Sequence, residues 1–293
     1  MCKKGLSFLL FLGIFCGVGL SQESAGGKSV PTYASPKTKD VIGRMLEAHG
    51  GLERWRQAKT IKYTNVMFLP IIDIQDGMSE WDRWGCSDET FELTSRRGYH
   101  DLPFEKAQIA SDGKKVWSIG IQGGNPPKVR YQGVFYFVNL PWLTQDPGVH
   151  LGEPGMAKLP GDDKDYITIK VTFVEGVGNT AEDYHLLYID PENYLLKATE
   201  YIVTYAALLD MLGLPPEMTS FGPMLRVFDD YVTVGGLTVP SRYRTHDPQG
   251  KTMFGVHLLT RVEFGVPFDE SRMRMTAGAV IDNSNGKQRA SSK

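Results

Sequence analysis

Cysteine is nearly absent from this 293-residue chain: there are three, at positions 2, 16 and 86. Two of them fall in the first twenty-one residues, which read as a removable leader. That leaves Cys86 alone, excludes an intramolecular disulfide and leaves stability to an apolar core. Basic surplus is also missing. Lys and Arg number 32 against 34 Asp and Glu, for a net charge of −2, so nothing suggests the concentrated basic face that nucleic acid requires. The six histidines, at 49, 100, 150, 185, 246 and 257, show no HxH or HExxH spacing. Asp162, Asp163 and Asp165 lack the later Gly and Glu of a calcium loop and read as a solvated acidic turn. No metal and no cofactor is expected. There is no Gly-x-Ser-x-Gly elbow, and Cys86 has only Arg83 nearby to lower its pKa. Asp146, Glu153, Asp183 and Asp190 leave open an acid/base pair formed in space. Asp146 and Asp190 already have turn duties beside Pro147 and Pro191. The chain is therefore expected not to be an enzyme, with a hydrolase on envelope glycans or esters as the alternative. Asn-x-Ser/Thr is missing too, and no apolar run after residue 21 is long enough to span a membrane.

What the chain does have begins at its start. Lys3 and Lys4 precede an apolar run from Leu6 to Phe15, and small residues follow at Gly17, Gly19 and Ser21. This is the layout of a secretory signal over residues 1–21, cleaved after Ser21, and it predicts an extracytoplasmic, periplasmic protein. Phe15 sits where a lipoprotein signal needs a small residue, so a lipid anchor at Cys16 is not expected. Loss of the signal moves the net charge from −2 to −4.

Residues 22–35 read as a flexible leader rich in Ser, Gly and Lys. Ser35 then offers an N-cap, with Pro36 at the first helical position. Val41, Met45 and His49 recur at helical spacing beside Ile42 and Leu46, and Gly50-Gly51 stops the helix. His49 is placed at the helix C-terminus, where the macrodipole favours a cation. Leu52–Ala58 reads as a second short helical turn carrying Trp55. From Thr60 the period becomes two. Asp190-Pro191-Glu192-Asn193 and Gly235-Gly236 carry hairpin chemistry, and Ser111-Asp112-Gly113 makes another turn. Phe254–Phe264 reads as a strand with Val256 and Leu258 inward and His257 outward. Many strands joined by short turns, after one good helix, indicate an antiparallel α+β domain over residues 36–272. The polar tail, 273–293, is expected to be disordered beyond Ile281. Two apolar segments interrupt the strand pattern: Tyr131–Asp146, and the Met-rich, Pro-broken Ala206–Leu225.

Ala48-His49-Gly50-Gly51 with Trp55, Ser111-Asp112-Gly113 before Val116-Trp117, Phe135-Tyr136-Phe137 running into Leu140-Pro141, and Asp146-Pro147-Gly148 form an ordered set. Asp183-Tyr184 before Leu187-Tyr188-Ile189-Asp190-Pro191, Gly236-Leu237 before Pro240, and Val266-Pro267-Phe268-Asp269 continue it. Over roughly residues 38–272 the chain resembles an uncharacterised family of bacterial envelope proteins. That family is similar in pattern to periplasmic lipoprotein carriers and outer-membrane lipoprotein-sorting proteins. The resemblance implies a strongly curved antiparallel sheet, an incomplete barrel, with helices covering its concave face. It also implies a lipid or lipoprotein ligand held in an apolar cavity, with only transient contact with the membrane surface. No ligand-contacting residue carries over, because the carriers' own motifs do not match here.

Trp117, Phe135, Phe137, Trp142, Leu209, Met211 and Phe221 are the candidate lining residues. Their large apolar area binds by burial, and Met adapts to varied apolar shapes. The bland reading is ordinary sheet core for the aromatics, and a fixed plug in place of a mobile lid for Ala206–Leu225. The other open function is an envelope interaction module that docks a protein partner, which a filled interior would favour.

Overall fold

The computed structural model describes residues 30–73, 78–121, 126–174, 182–211 and 213–284. The expected signal at 1–21 and the end of the tail lie outside them. The elements run in the order β1 Thr32–Tyr33, α1 Pro36–Ala48, α2 Leu52–Ala58, β2 Thr60–Asp73, β3 Met78–Glu92, β4 Gly98–Leu102, β5 Ala107–Ser111 and β6 Val116–Ile119. Then follow α3 Pro127–Leu143, β7 Val149–Leu151, β8 Gly155–Lys158, β9 Asp165–Phe173, β10 His185–Ile189 and β11 Leu196–Val203. The chain continues through α4 Ala206–Met211, β12 Phe221–Val234, β13 Leu237–His246, β14 Met253–Phe264, a 3₁₀ turn at Glu270–Met273, and β15 Val280–Ile281.

The described strands form one unclosed sheet in the order β1-β7-β9-β10-β11-β12-β13-β14-β2-β3-β4-β5-β6-β15, with β8 paired to β9. The β1–β7 pair is parallel, so the sheet is mixed and not wholly antiparallel as the turns suggested. Thr32–Tyr33 and Val280–Ile281 fall in the segments assigned to leader and tail, and both pair with this sheet. Rings of α3 meet His185 on β10, and α3 also touches β5 and β6. At about 4.8 Å per strand, a flat sheet holds β10 and β6 some 40 Å apart, while a helix of this length spans about 25 Å. The sheet is strongly curved.

Helix α1 starts as its sequence dictates: Ser35 Oγ accepts from the Thr38 N–H at 3.2 Å, and Pro36 follows. Its stripe of Val41, Ile42, Met45 and Leu46 is buried. At the other end the backbone approaches the β12–β13 hairpin closely. Gly50 has φ +100°, and a Cβ there would meet the Gly236 carbonyl oxygen at 2.1 Å. The Arg54 guanidinium donates to both the Gly50 and Gly236 carbonyls, at 3.0 and 3.1 Å.

His49 does cap α1, but it is not the cation expected from the macrodipole. Its ring is buried between strands and donates from Nδ1 to the Thr238 carbonyl at 2.7 Å, while Nε2 accepts the Leu196 N–H at 3.1 Å. Those two bonds need the neutral ring, and burial lowers its pKa to about 4. Desolvation outweighs the dipole because the helix end faces protein and not water.

The β14 facing is also reversed from expectation. His257 and Leu259 are buried, while Val256 and Leu258 are only half-buried. The pairing with β2 shifts register between Thr260 and Glu263, where Arg261 has φ +52°. The two ends of β14 therefore do not share one alternation.

Candidate binding site

Tyr131–Asp146, which interrupted the strand pattern, is mostly helix. Pro126 and Pro127 open α3, and the Thr144 hydroxyl closes it by donating to the Pro141 carbonyl at 2.6 Å. Val129 and every residue from Tyr131 to Leu143 are buried. A helix apolar on all sides has no solvent face and belongs inside a core.

The sheet face that meets α3 is unusually polar. Across eight adjacent strands it carries His185 on β10, Thr199 and Tyr201 on β11, Arg226 on β12, Tyr243 and Thr245 on β13, His257 on β14, Tyr63 and Asn65 on β2, Ser87 and Glu89 on β3, and His100 on β4. Register aligns them: His185 faces Tyr201, Thr199 faces Arg226, Arg226 faces Thr245, and Tyr243 faces His257. On the far side Tyr63 faces Glu89, which faces His100.

This row has two centres. At the first, Arg226 is 1% exposed. Its Nε donates to Thr245 Oγ1 at 3.0 Å, and its guanidinium lies 3.6 Å from the Phe137 ring centre and 5.0 Å from that of Tyr243. Tyr201 is 5.6 Å away and stacks on His185. His257 stacks on Tyr243 at 4.6 Å. At the second centre, Glu89 accepts from the Tyr63 hydroxyl at 2.8 Å and the Ser87 hydroxyl at 2.6 Å. His257 and Asn65, 3.0 Å apart, join the two.

Burial decides the charges. It pushes the Glu89 carboxyl up to about 8, against the opposing pull of the Ser87 and Tyr63 hydrogen bonds. It pushes His100 and His185 down to about 3, helped by nearby Arg130 and Arg226 respectively, and takes His257 well below its ordinary value. Glu89 and His100, 3.6 Å apart, are both neutral at pH 7, and their contact is not an ion pair.

Buried polar atoms on this face without a hydrogen-bond partner among the described residues include the Tyr243 hydroxyl, His185 Nε2 and His100 Nε2. Such groups cost about 1–3 kcal/mol each when left unpaired.

The expected lining residues divide. Phe135 and Phe137 lie on α3 against this face: Phe135 packs on Phe91 at 4.6 Å and Phe137 on Tyr201 at 5.1 Å. Trp142 stacks on Trp55 of α2 at 5.9 Å, and the Trp55 Nε1 donates to Asn139 Oδ1 at 2.8 Å. Leu209 is fully buried in α4, and Phe221 is half-buried at the start of β12. Met211 ends α4, and its side chain lies outside the described residues. Trp117 sits elsewhere, in a separate 260 Å³ hollow with Tyr99, Ile109, Arg272 and Arg274. Ala206–Leu225 is thus no single insertion: Leu208 and Leu209 are core, and Phe221–Leu225 belongs to β12. Beside Phe91, Tyr131 and Phe135 the interior space measures 10 Å³, room for about one water.

The carboxylates weighed for acid/base chemistry are engaged apart from one another. Asp146 pairs with Arg96, Glu153 accepts from Ser35, Asp183 caps Thr204, and Asp190 holds Lys164. In the acidic turn, the Asp162 carboxylate accepts from the Lys164 N–H and the Tyr166 hydroxyl. The polar row itself was missed by the sequence reading, although a signal existed. His185 is in phase with Leu187 and Ile189, and Glu89 with Phe91, so strict alternation places them inside.

A family of unknown function, DUF6503, matches residues 127–207, which include α3. No curated protein matches the chain. Among solved structures, a DUF1329 family protein from Desulfovibrio piger shares the fold, at TM-score 0.52 and 11% identity, covering 83% of this chain and 100% of that one. A LolA superfamily protein from Nitrosomonas europaea follows at TM-score 0.46 and 10% identity, covering 76% and 96%. An outer membrane lipoprotein-sorting protein domain from Vibrio parahaemolyticus has TM-score 0.42 and 10% identity, covering 77% and 97%.

Proposed function

We propose that this chain is a non-enzymatic binding or carrier protein of the cell envelope. Its ligand is apolar, a lipid or the acyl chains of a lipoprotein, held on the concave side of the sheet. Helix α3 covers that side and is its resident occupant when no ligand is bound. The observation that carries the reading is the mismatch between the two layers. A mostly apolar helix, buried on every side from Tyr131 to Leu143, lies on a sheet face that leaves the Tyr243 hydroxyl, His185 Nε2 and His100 Nε2 without hydrogen-bond partners among the described residues. A core built for stability alone gains nothing from such groups, whereas a face that exchanges one occupant for another retains them for the second. Burial at about 25 cal/mol per Å² supplies affinity without reaction chemistry. Phe135, Phe137 and Leu209 are the contacts on this reading, with Met211 and Phe221 beside them, and Trp142 moves with α3. The signal over residues 1–21 delivers the protein to the periplasm, where it meets the membrane surface only transiently.

Mass spectrometry of organic extracts, from protein purified out of its native compartment beside a control secreted protein, tests this. A stoichiometric lipid is expected; an empty extract, repeated under mild conditions, refutes it. One observation favours a second reading, an envelope interaction module with a protein partner: the interior is already filled by α3 and α4. A stable stoichiometric protein partner with an empty extract would select it.

A further inference from the structure

We propose that residues 280–284 form a latch that fastens α3 and α4 over the inner face, and that its release gates entry to the apolar site. This rests on the binding reading above and adds its control.

The segment joins three elements that are far apart in the chain. Strand β15 adds to the outer edge of β6, with Val280 opposite Ser118 and Ile281 opposite Trp117. The Asp282 N–H donates to the Val116 carbonyl at 2.9 Å. Asp282 Oδ2 then accepts the Lys128 N–H at the start of α3, at 2.8 Å. The Ser284 N–H donates to Asp282 Oδ1 at 2.8 Å, and Ser284 Oγ lies 2.5 Å from the hydroxyl of Tyr205, the residue before α4. The two helices reached in this way are the two that fill the interior.

Helix α3 depends on the Asp282 bond. Its N-cap, Pro126, offers no side-chain oxygen, and its first turn holds no acid but two cations, Lys128 and Arg130. The first N–H groups of a helix have no partner within it, and cations are unfavourable at the positive end of its dipole. Glu105 pairs with Arg130. Asp282 supplies the rest from 154 residues away: it takes the N–H, and its charge opposes the lowering that burial imposes on the Lys128 ammonium. The other end of α3 closes locally, through Thr144 on the Pro141 carbonyl. Little holds the latch itself shut. Strand β15 is two residues long, Val280 is 67% exposed, and residues 274–278 before it are exposed. A segment fastened by a few polar bonds with little apolar burial opens locally at far less cost than the sheet does.

The test compares the purified protein with Asp282→Ala, by hydrogen exchange and by binding of N-phenyl-1-naphthylamine, a neutral apolar probe. Exchange over residues 129–137 is expected to rise about fivefold, the worth of a lost cap, with β12 and β13 unchanged. The probe should bind about fivefold more tightly, because the closed form competes with it. Loss of a merely structural contact would not tighten binding. Tyr205→Phe removes the other fastening and should act in the same direction by about threefold, so it decides the matter if Asp282→Ala folds poorly. Unchanged exchange in both variants, with the probe still bound, overturns the latch and leaves the binding reading standing. Faster exchange with unaltered probe affinity overturns the gate alone. No probe binding by any of the three proteins overturns the binding reading and the gate with it.

Discussion

Acid should unfold this protein well above the pH at which its carboxylates titrate, and the interior row says by how much. His49, His100, His185 and His257 are buried and neutral, with pKa values lowered to about 4, about 3, about 3, and well below the ordinary value. The unfolded chain takes up those protons near pH 6.5, while the fold takes up almost none until far lower. Stability is therefore lost as pH falls below 6.5. Between pH 7 and pH 5 each imidazole costs about 1.9 kcal/mol, or about 7.5 for the four. Glu89 works in the other direction. Its folded carboxyl keeps a proton up to about 8, so acid relieves a penalty present at neutral pH. That returns about 2.5 kcal/mol over the same interval, for a net loss of about 5 kcal/mol. Against the 5–15 kcal/mol typical of a domain (roughly), such a loss approaches unfolding. Urea titrations at pH 7, 6 and 5, read by tryptophan fluorescence, should show the midpoint falling throughout. Glu89→Gln abolishes the compensating titration, and its loss over the interval should grow to about 7.5 kcal/mol. A midpoint flat or rising toward pH 5 refutes the neutral, buried assignment of the histidines. An unchanged slope in Glu89→Gln refutes the protonated state of Glu89.

Three further substitutions probe the frame around the site. His49→Leu strands the Thr238 carbonyl and the Leu196 N–H, and should cost about 2–5 kcal/mol in urea denaturation. Gly50→Ala drives a Cβ into the Gly236 carbonyl oxygen at a positive φ; a melting curve should show a loss of about 2–4 kcal/mol. A melting temperature equal to that of the unaltered protein would mean that the α1 end does not clamp the β12–β13 hairpin. Trp55→Phe leaves the buried Asn139 Oδ1 without its donor and should cost about 1–3 kcal/mol, with part of the loss recovered when Asn139→Leu is added.

Wherever one local signal was sufficient, the sequence was readable. Ser35-Pro36 and Gly50-Gly51 bound α1, and Gly235-Gly236 joins Val234 to Leu237 across its hairpin. The turns at Ser111-Asp112-Gly113 and Asp190–Asn193 likewise separate the strands they were read to separate. These motifs work through backbone conformation, which neighbours in sequence determine. Helix α3 failed for the opposite reason. Amphipathic period is the signature of a helix that has two environments, and α3 has one. Its aromatics and β-branched residues therefore stood out only as a break in the strand pattern, with sheet core as the plain alternative, because strands are the usual home of such residues.

The same reasoning explains how the candidate lining residues were chosen. A search for a lipid site in the sequence favours large apolar side chains, and it selected Phe135 and Phe137, which lie on α3 and pack on Phe91 and Tyr201. It passed over Arg226, Tyr243 and His185, because a charged or polar residue in a strand is ordinarily assigned to the solvent side. His257 shows how that assignment fails: Val256 and Leu258 flank it, so apolarity pointed to their face, yet they are half-buried and His257 is inside. Where strands pack on a helix that is itself buried, as β10 and β11 do on α3, the usual inference reverses, since the apolar company comes from the helix. In such a fold the informative residues are the polar ones in phase with buried apolar neighbours. They are few and costly to bury, and they gather: the Tyr201 and Tyr243 ring centres lie 5.6 and 5.0 Å from the buried Arg226 guanidinium.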